Sequence, residues 1–427
     1  MSGSGVVNWA PPRGSSQKTV RSIESSSSWI VASVVLLVMT LAFGAPWILV
    51  VALKTIAAEN GGLRSVPALA SSLGWIGLAA GGVAMSWVAE RAGTRITVIF
   101  GSIMICAGLA LSRGPQTWQL YLGQGLLVGF LGIGSMNAPF YVYVSRWFDR
   151  HRGSALALIS SGTYMAGAVW PPLFERVISY AGWRQTMLWF GVCQLLLIAP
   201  FAAIFLRAAP DPSFASGQLP HGSTAAKRVL GWPANFVFAL MAVGAVFCCM
   251  PMAMPQAHLP ALCSDLGYQA SHGAAMVSVL LGSAFISRQF WGFVADRLGG
   301  LRTALIGSSL QILTMIAFVV TQDEIGLFTV AAAAGFGFAG IIPANILAIR
   351  ELFPASEAYW RIPTFLLLSG TGMAAGAWLA GTLYDHFGFY APAFAAGALF
   401  NFANLLVIGF LVARQARQSR LPAISHA

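Results

Sequence analysis

The chain has 427 residues, 57% of them hydrophobic and only 9% charged, with a mean hydropathy of +0.74. Soluble domains carry roughly 25% charged residues because their surface faces water. This composition therefore excludes a soluble enzyme and a disordered chain, and leaves a protein that crosses a membrane many times. The net charge of +11 is scattered through short segments between apolar runs. It reports topology rather than a nucleic-acid surface. The cysteines (Cys106, Cys193, Cys248, Cys249 and Cys263) are odd in number and form neither a disulfide framework nor a metal-ligand spacing.

Residues 1–28 are rich in Ser, Gly and Pro and carry Arg13, Lys18 and Arg21. No apolar stretch precedes a cleavage site, so they read as a cytoplasmic tail and not a signal peptide. Twelve apolar runs follow at about 29–53, 66–89, 96–112, 118–144, 154–174, 184–206, 233–257, 272–295, 302–320, 325–349, 362–384 and 390–413. Each is near the ~20 residues that an α-helix needs to cross the hydrocarbon core. None alternates as a barrel strand does. The fold class expected is an all-α membrane protein. It has a six-helix bundle at 29–206, a cytoplasmic linker at 207–232, a second six-helix bundle at 233–413 and a cytoplasmic tail at 414–427.

Most Lys and Arg fall on one side of these spans. The other side holds only Lys54, Arg64, Arg113, Arg176 and Arg184. This bias puts both termini in the cytoplasm. The halves also repeat: residues 86–93 read S-W-V-A-E-R-A-G and residues 292–299 read G-F-V-A-D-R-L-G, each closing the second span of its half. A parallel repeat of this kind belongs to carriers whose halves rock about a site at the midplane.

The pattern Gly292, Asp296, Arg297, Gly299 resembles the signature loop of the major facilitator superfamily. Its first copy is degraded, with Ser86 for glycine and Glu90 for aspartate. An acid at a helix end beside an arginine can bond neighbouring helix termini. Glu90, Arg91, Asp296 and Arg297, with Arg146 and Arg152 in the loop after span 4, are the expected cytoplasmic gate. Three further segments narrow the resemblance: R-W-F-D-R-H-R-G-S-A-L-A at 146–157, G-W-R at 182–184 and F-I-S-R-Q-F-W-G at 285–292. Together they resemble the monocarboxylate transporter family and its bacterial relatives, which include oxalate/formate exchangers. The resemblance implies a twelve-helix facilitator in which an arginine of span 8, here Arg288, binds the substrate carboxylate. The chain departs from the pattern in three places. Ala284 stands where animal members carry an aspartate, Trp47 follows Pro46 where they carry a lysine, and span 11 lacks the second cation of the oxalate exchangers. The missing span 11 lysine argues against a dianion.

Arg288 stands out without any family. It is the only Lys, Arg, Asp or Glu well inside a predicted span. It lies eight residues before Asp296, about 12 Å by helical rise. An arginine at that depth costs ~2.5–3.5 kcal/mol on insertion scales, so it needs a partner. Leu281, Ala284, Trp291, Gly292 and Ala295 share its face and are mostly small. No intramembrane acid is available, which leaves a bound anion held by a bidentate fork. The rest of the pocket is expected from Asn137 and Tyr141 of span 4, Phe43 and Trp47 around Pro46 of span 1, Tyr164 of span 5 and Asn345 of span 10. For each aromatic, plain packing is the competing reading.

His258 and Asp265 follow span 7 in an outward-facing stretch and are the expected proton-coupling pair. Glu59, Glu175 and Asp385 are weaker alternatives. The function expected is alternating-access transport of a small organic monocarboxylate, of the lactate or pyruvate type, coupled to protons. An organic-anion exchanger or a drug/proton antiporter is the alternative, and a membrane receptor or enzyme a remote one. No H-E-x-x-H or G-x-x-x-x-G-K occurs, and no catalytic residue, metal or cofactor is expected. The expected partners are the organic anion, protons and the bilayer, with a monomer working in a bacterial inner membrane.

Overall fold

The computed structural model describes residues 24–148, 151–207 and 228–418, with only the backbone given for Arg152, Ala355, Ser356, Ala358 and Tyr359. Most of the predicted linker, the N-terminal tail and the last residues lie outside these bounds. The described chain is almost entirely helical. One two-stranded hairpin, Arg228–Val229 against Trp232–Pro233, leads into span 7.

Among the described residues, eleven helices are long and apolar enough to cross a membrane. They are Ser26–Val51, Ser65–Ala92, Thr94–Ser112, Thr117–Ser145, Trp183–Phe205, Ala234–Asp265, Ala270–Leu298, Gly300–Val320, Glu324–Leu352, Trp360–Phe387 and Ala391–Gln418. Span 5 is the twelfth. It is split into Arg152–Ser160 and Gly162–Ala181, and Glu175, Arg176 and two prolines lower its hydropathy. We call the side holding Ser26 and Gln418 the terminal side, and the opposite one the far side.

Buried side chains divide with the repeat. One core joins residues between Val31 and Leu206. Three others fall between Val229 and Leu411, with Leu53 as the single first-half residue in them. Small residues allow the helices to approach closely, which is how membrane bundles gain contact when water exclusion drives little. Gly77 sits where a Cβ would stand 2.9 Å from the Phe130 backbone nitrogen. A Cβ on Gly129 of span 4 would likewise stand 2.6 Å from the Gly74 carbonyl oxygen.

Span 4 is not one regular helix. It runs as an α-helix to Leu122, a π-helix over Gly123–Gly132, a short 3-10 turn over Ile133–Ser135 and an α-helix over Asn137–Ser145. Period-3.6 reading missed this, because glycine spacing does not announce helix width. Two predicted ends also move. Span 7 continues to Asp265 through Pro251, Pro255 and Pro260, so His258 lies inside the helix and not after it. The helix of span 11 begins at Ala355, which brings Arg361 into the bundle. Proline is tolerated there because neighbouring helices satisfy the backbone groups it frees.

Span 1 breaks at Phe43 and Gly44, just before Pro46. The Gly44 amide bonds Leu41 O at 3.0 Å rather than reaching back four residues. The released carbonyl of Thr40 accepts from Trp170 Nε1 of span 5 at 2.8 Å. Trp170 is itself wedged between Phe174, stacked with ring centres 5.3 Å apart, and Phe190, edge-on at 4.9 Å. This clamp fixes the direction in which span 1 re-enters the bundle and carries Trp47.

Candidate functional site

Three aromatic or charged side chains from three spans come together between the two halves. The Arg288 guanidinium carbon lies 5.3 Å from the centre of the Tyr164 ring, within cation–π range. Tyr141 of span 4 lies close enough to feel the charge of Arg288, with Tyr164 and Ser160 beside it. Tyr164 continues to Phe338 of span 10, with centroids 6.4 Å apart. Trp47 joins this group through Gly167, where a Cβ would stand 2.6 Å from the indole. Leu281, two turns before Arg288, packs on the same glycine. The position is thus bounded by spans 1, 4, 5, 8 and 10, from both halves.

Arg288 is half-buried. Among the described residues it has no ion pair and no hydrogen bond, and the Tyr164 ring is its one close contact of this kind. On its own helix, Ala284 and Trp291 are buried, and Trp291 Nε1 donates to Phe336 O at 2.6 Å. Gly292 faces open space. The guanidinium therefore keeps its donors free on a wall that is otherwise aromatic and small. That arrangement suits a carboxylate with a short apolar body.

The other expected pocket residues divide. Asn137 is half-buried, and its amide has no hydrogen-bond partner among the described residues. Asn345 is buried and donates to Ile341 O of its own helix at 2.9 Å, so it is satisfied locally. Phe43 lies in the first-half core at the break of span 1, and no described contact brings it to Arg288.

The side chains of Glu90, Arg91, Asp296, Arg297 and Arg146 make no ion pair or hydrogen bond with another described residue. Arg91 stacks over Trp87 at 3.4 Å and Arg297 over Phe293 at 4.0 Å, each within its own helix. On the terminal side, then, these residues do not join the halves in this state.

The far side is different, and sequence reading missed most of it. Arg64, at the start of span 2, sends Nη2 to Asp265 Oδ1 and Nη1 to Asp265 Oδ2, both at 2.6 Å. Its Nη1 also donates to the Tyr390 hydroxyl at 2.7 Å, and its guanidinium stacks on the Tyr384 ring at 3.5 Å. Lys54 adds a second cation to Asp265 at 3.2 Å. The backbone amides of Arg64 and Ser65 donate to Asp385 Oδ1 and Oδ2 at 2.7 and 2.9 Å. A carboxylate of one half thus caps a helix N-terminus of the other, where the free amides and helix dipole favour negative charge. Burial works against the charge on Arg64, but Asp265 and Tyr390 more than offset it and raise its pKa. Burial pushes the Tyr390 phenol up from its ordinary value, so it stays a neutral hydroxyl. His258 completes the network: Nδ1 lies 3.0 Å from the Tyr390 hydroxyl and Nε2 lies 2.8 Å from Ala377 O. His258 is 0% exposed, so the expected outward-facing loop residue is a buried helix residue. The available signal was the pairing of far-side cations Lys54 and Arg64 with far-side acids Asp265 and Asp385.

Glu59 and Arg184 hold the first half together on the same side. Arg184 Nη1 pairs with Glu59 Oε2 at 2.7 Å, and Trp183 Nε1 donates to Glu59 Oε1 at 3.0 Å. The G-W-R segment is accounted for by this packing. A groove of about 540 Å³ lined by Gly77, Trp118, Tyr121 and Phe130 lies between spans 2 and 4. It holds no charged residue, and no cluster of described residues could hold a metal ion.

Twelve spans in two related halves define a membrane carrier rather than an enzyme. The family model of the Major Facilitator Superfamily matches residues 35–324, and the chain belongs to that superfamily. It is 26% identical to "Monocarboxylate transporter 13" of Rattus norvegicus over 322 residues, 75% of this chain and 73% of the relative. It is 25% identical to "MFS-type transporter 1" of Ophiocordyceps sp. over 296 residues, 66% of this chain and 63% of that one. Among solved structures, a peptide transporter POT bound to alafosfalin aligns with a TM-score of 0.67 at 14% identity, covering 89% and 95% of the two chains. A bacterial homolog of the human lysosomal transporter Spinster, inward-facing and occupied, aligns with a TM-score of 0.61 at 16% identity, covering 92% and 96%. These structural likenesses speak to fold alone.

Proposed function

We propose that this facilitator carries a small organic monocarboxylate across the membrane by alternating access, with Arg288 as the carboxylate's binding partner. The observation that carries the reading is a mid-depth guanidinium with no protein acid beside it among the described residues and an aromatic ring at 5.3 Å. A buried charge without a partner is costly, and a carboxylate would supply the partner and accept two parallel donors. The likeness to a monocarboxylate transporter supports the same substrate class. Tyr141, Tyr164 and Trp47 form the apolar and hydroxyl wall of the site, and Asn137 offers a free amide. Protons are the coupling ion in this reading, with His258 and Asp265 as the titratable pair. The terminal side is the cytoplasmic one, and Glu90, Arg91, Asp296 and Arg297 close it in the opposite state.

The test is uptake of labelled lactate or pyruvate into proteoliposomes under an inward proton gradient. A thermal-shift screen of monocarboxylates selects the substrate first, since a bound ligand stabilises by mass action. Arg288→Lys keeps the charge and loses the planar fork, so uptake should drop by about tenfold or more, the worth of one charge-assisted hydrogen bond. Uptake equal to the parent's in that variant removes Arg288 from the site. Transport of a lipophilic cation in place of any carboxylate overturns the substrate class.

A further inference from the structure

The far-side network joins the two halves through side chains of opposite sign from opposite halves. Every cation in it, Lys54 and Arg64, comes from the first half. Both carboxylates, Asp265 and Asp385, come from the second. Arg64 is the hub, since its side chain binds Asp265 and Tyr390 while its backbone binds Asp385. It is 4% exposed, and a charge so buried is held only while its partners remain in place. Opening the far side must separate Arg64 from all three at once.

The bond directions in the network are fixed by chemistry. The Ala377 carbonyl can only accept, so the ring proton of His258 sits on Nε2. Nδ1 is then an acceptor, and the Tyr390 hydroxyl donates to it. The Tyr390 oxygen is left to accept from Arg64 Nη1. Each group in the chain from Arg64 through Tyr390 and His258 to Ala377 has one role, and all roles are filled. A second proton on His258 breaks this order. Nδ1 becomes a donor, and the Tyr390 oxygen faces two donors, one on an imidazolium and one on a guanidinium. The hydroxyl proton is then left without its acceptor in a buried site. The charged groups acting on the ring are Arg64 and Asp385. Asp265 and Lys54 stand beyond Arg64, and Tyr384 and Tyr390 are neutral phenols.

We infer that Arg64 is the far-side gating residue, and that a proton on His258 releases it by disordering the Tyr390 bridge. His258 and Asp265 then have different tasks. Asp265 is the latch's counter-charge, and His258 is its proton-sensitive element. This rests on alternating access and deepens the proton-coupled reading. It does not depend on which anion is carried.

The test reads the seam directly. Spin labels are placed through Tyr180→Cys in the first half and Ile325→Cys in the second, two far-side positions that are 88% and 80% exposed. The full chain, with its own cysteines replaced, is held in lipid nanodiscs without substrate. Distances are recorded at about pH 5.5 and about pH 8.5, either side of the ordinary histidine range. The expected result is a short distance at the higher pH and a long one growing at the lower. The ratio of long to short should change by about fivefold or more, the lower bound for a useful coupling. His258→Gln keeps a neutral donor and acceptor, so the short distance should persist at both pH values. Asp265→Asn removes the counter-charge and should give the long distance at both. Arg64→Lys, which cannot bind Asp265 and Tyr390 together in a fork, should behave like Asp265→Asn.

A parent distribution that ignores pH, or a His258→Gln variant that keeps the full shift, overturns the role of His258. Short distances in both Asp265→Asn and Arg64→Lys overturn the latch. The substrate reading fails separately, through full uptake by Arg288→Lys, and that outcome leaves these distances unaltered.

Discussion

Arg288 and Tyr164, on spans from opposite halves, face each other with 5.3 Å between the guanidinium carbon and the ring centre. The contact crosses the interface between the halves, and it uses the ring's face rather than its hydroxyl. Tyr164→Phe should therefore keep uptake within about twofold of the parent. Tyr164→Leu removes the ring and should raise the KM by about threefold or more, the low end of a cation–π contact. Equal KM values for the parent and the leucine variant remove Tyr164 from the site.

The Trp170 clamp on span 1 gives a stability prediction. Trp170→Phe keeps the aromatic cluster with Phe174 and Phe190 but leaves the Thr40 carbonyl without its donor. An unsatisfied buried acceptor costs about 1–3 kcal/mol. Thermal unfolding in detergent should show the loss, and an unchanged midpoint refutes the clamp.

Gly77 and Gly292 should respond oppositely to the same change. A Cβ on Gly77 meets the span 4 backbone, with Phe130 N at 2.9 Å, whereas one on Gly292 meets nothing within 4 Å. Gly77→Ala should lower the unfolding midpoint clearly, since two backbones must part. Gly292→Ala should leave it unchanged in this state. A transport defect in Gly292→Ala would then point to the opposite state, in which the proposed terminal-side gate closes. Melting curves of the two variants side by side decide the matter.

Arg361 is 1% exposed, with Glu357 at 2.6 Å, Asn235 at 2.9 Å and the Phe353 ring at 4.2 Å. Removing one partner of a buried pair leaves an uncompensated charge, which costs about 3–5 kcal/mol. Glu357→Ala should therefore lose much of its folded yield. The double variant Glu357→Leu, Arg361→Met should recover it, as apolar replacement of such pairs is often neutral. A double variant less stable than the single one contradicts this account.

The twelve spans and the repeat were legible because lipid demands long apolar helices and the repeat sits in the residues themselves. Arg288 stood out as a candidate because a charge inside such a run is rare. Helix ends were not, since Pro260 and Pro363 look like boundaries in sequence but lie within helices supported by their neighbours. Arg361 was consequently placed in a loop. The far-side latch was hidden for a different reason. Arg64, Asp265, Asp385 and Tyr390 are distant along the chain, and each alone reads as an ordinary loop or cap residue. Only the meeting of the far-side ends of spans 2, 7, 11 and 12 makes them one group. The terminal-side gate is an expectation from the motif alone, and a motif does not say which state a carrier is in.

The uneven winding of span 4 sets how its second half is aimed. A π-helix takes up more residues per closed ring than an α-helix, and a 3-10 turn takes up fewer. Each residue gained or lost swings everything beyond it by roughly 100°. The heading of Tyr141 is thus decided upstream, between Gly123 and Ser135, by glycines that lie against spans 2 and 3. Gly125, Gly132 and Gly134 abut Leu73, Ile105 and Gly81 in turn. A methyl group added to one of them would redirect the tyrosine without touching it, so the selectivity of the proposed pocket would be inherited in part from the dry seam behind it.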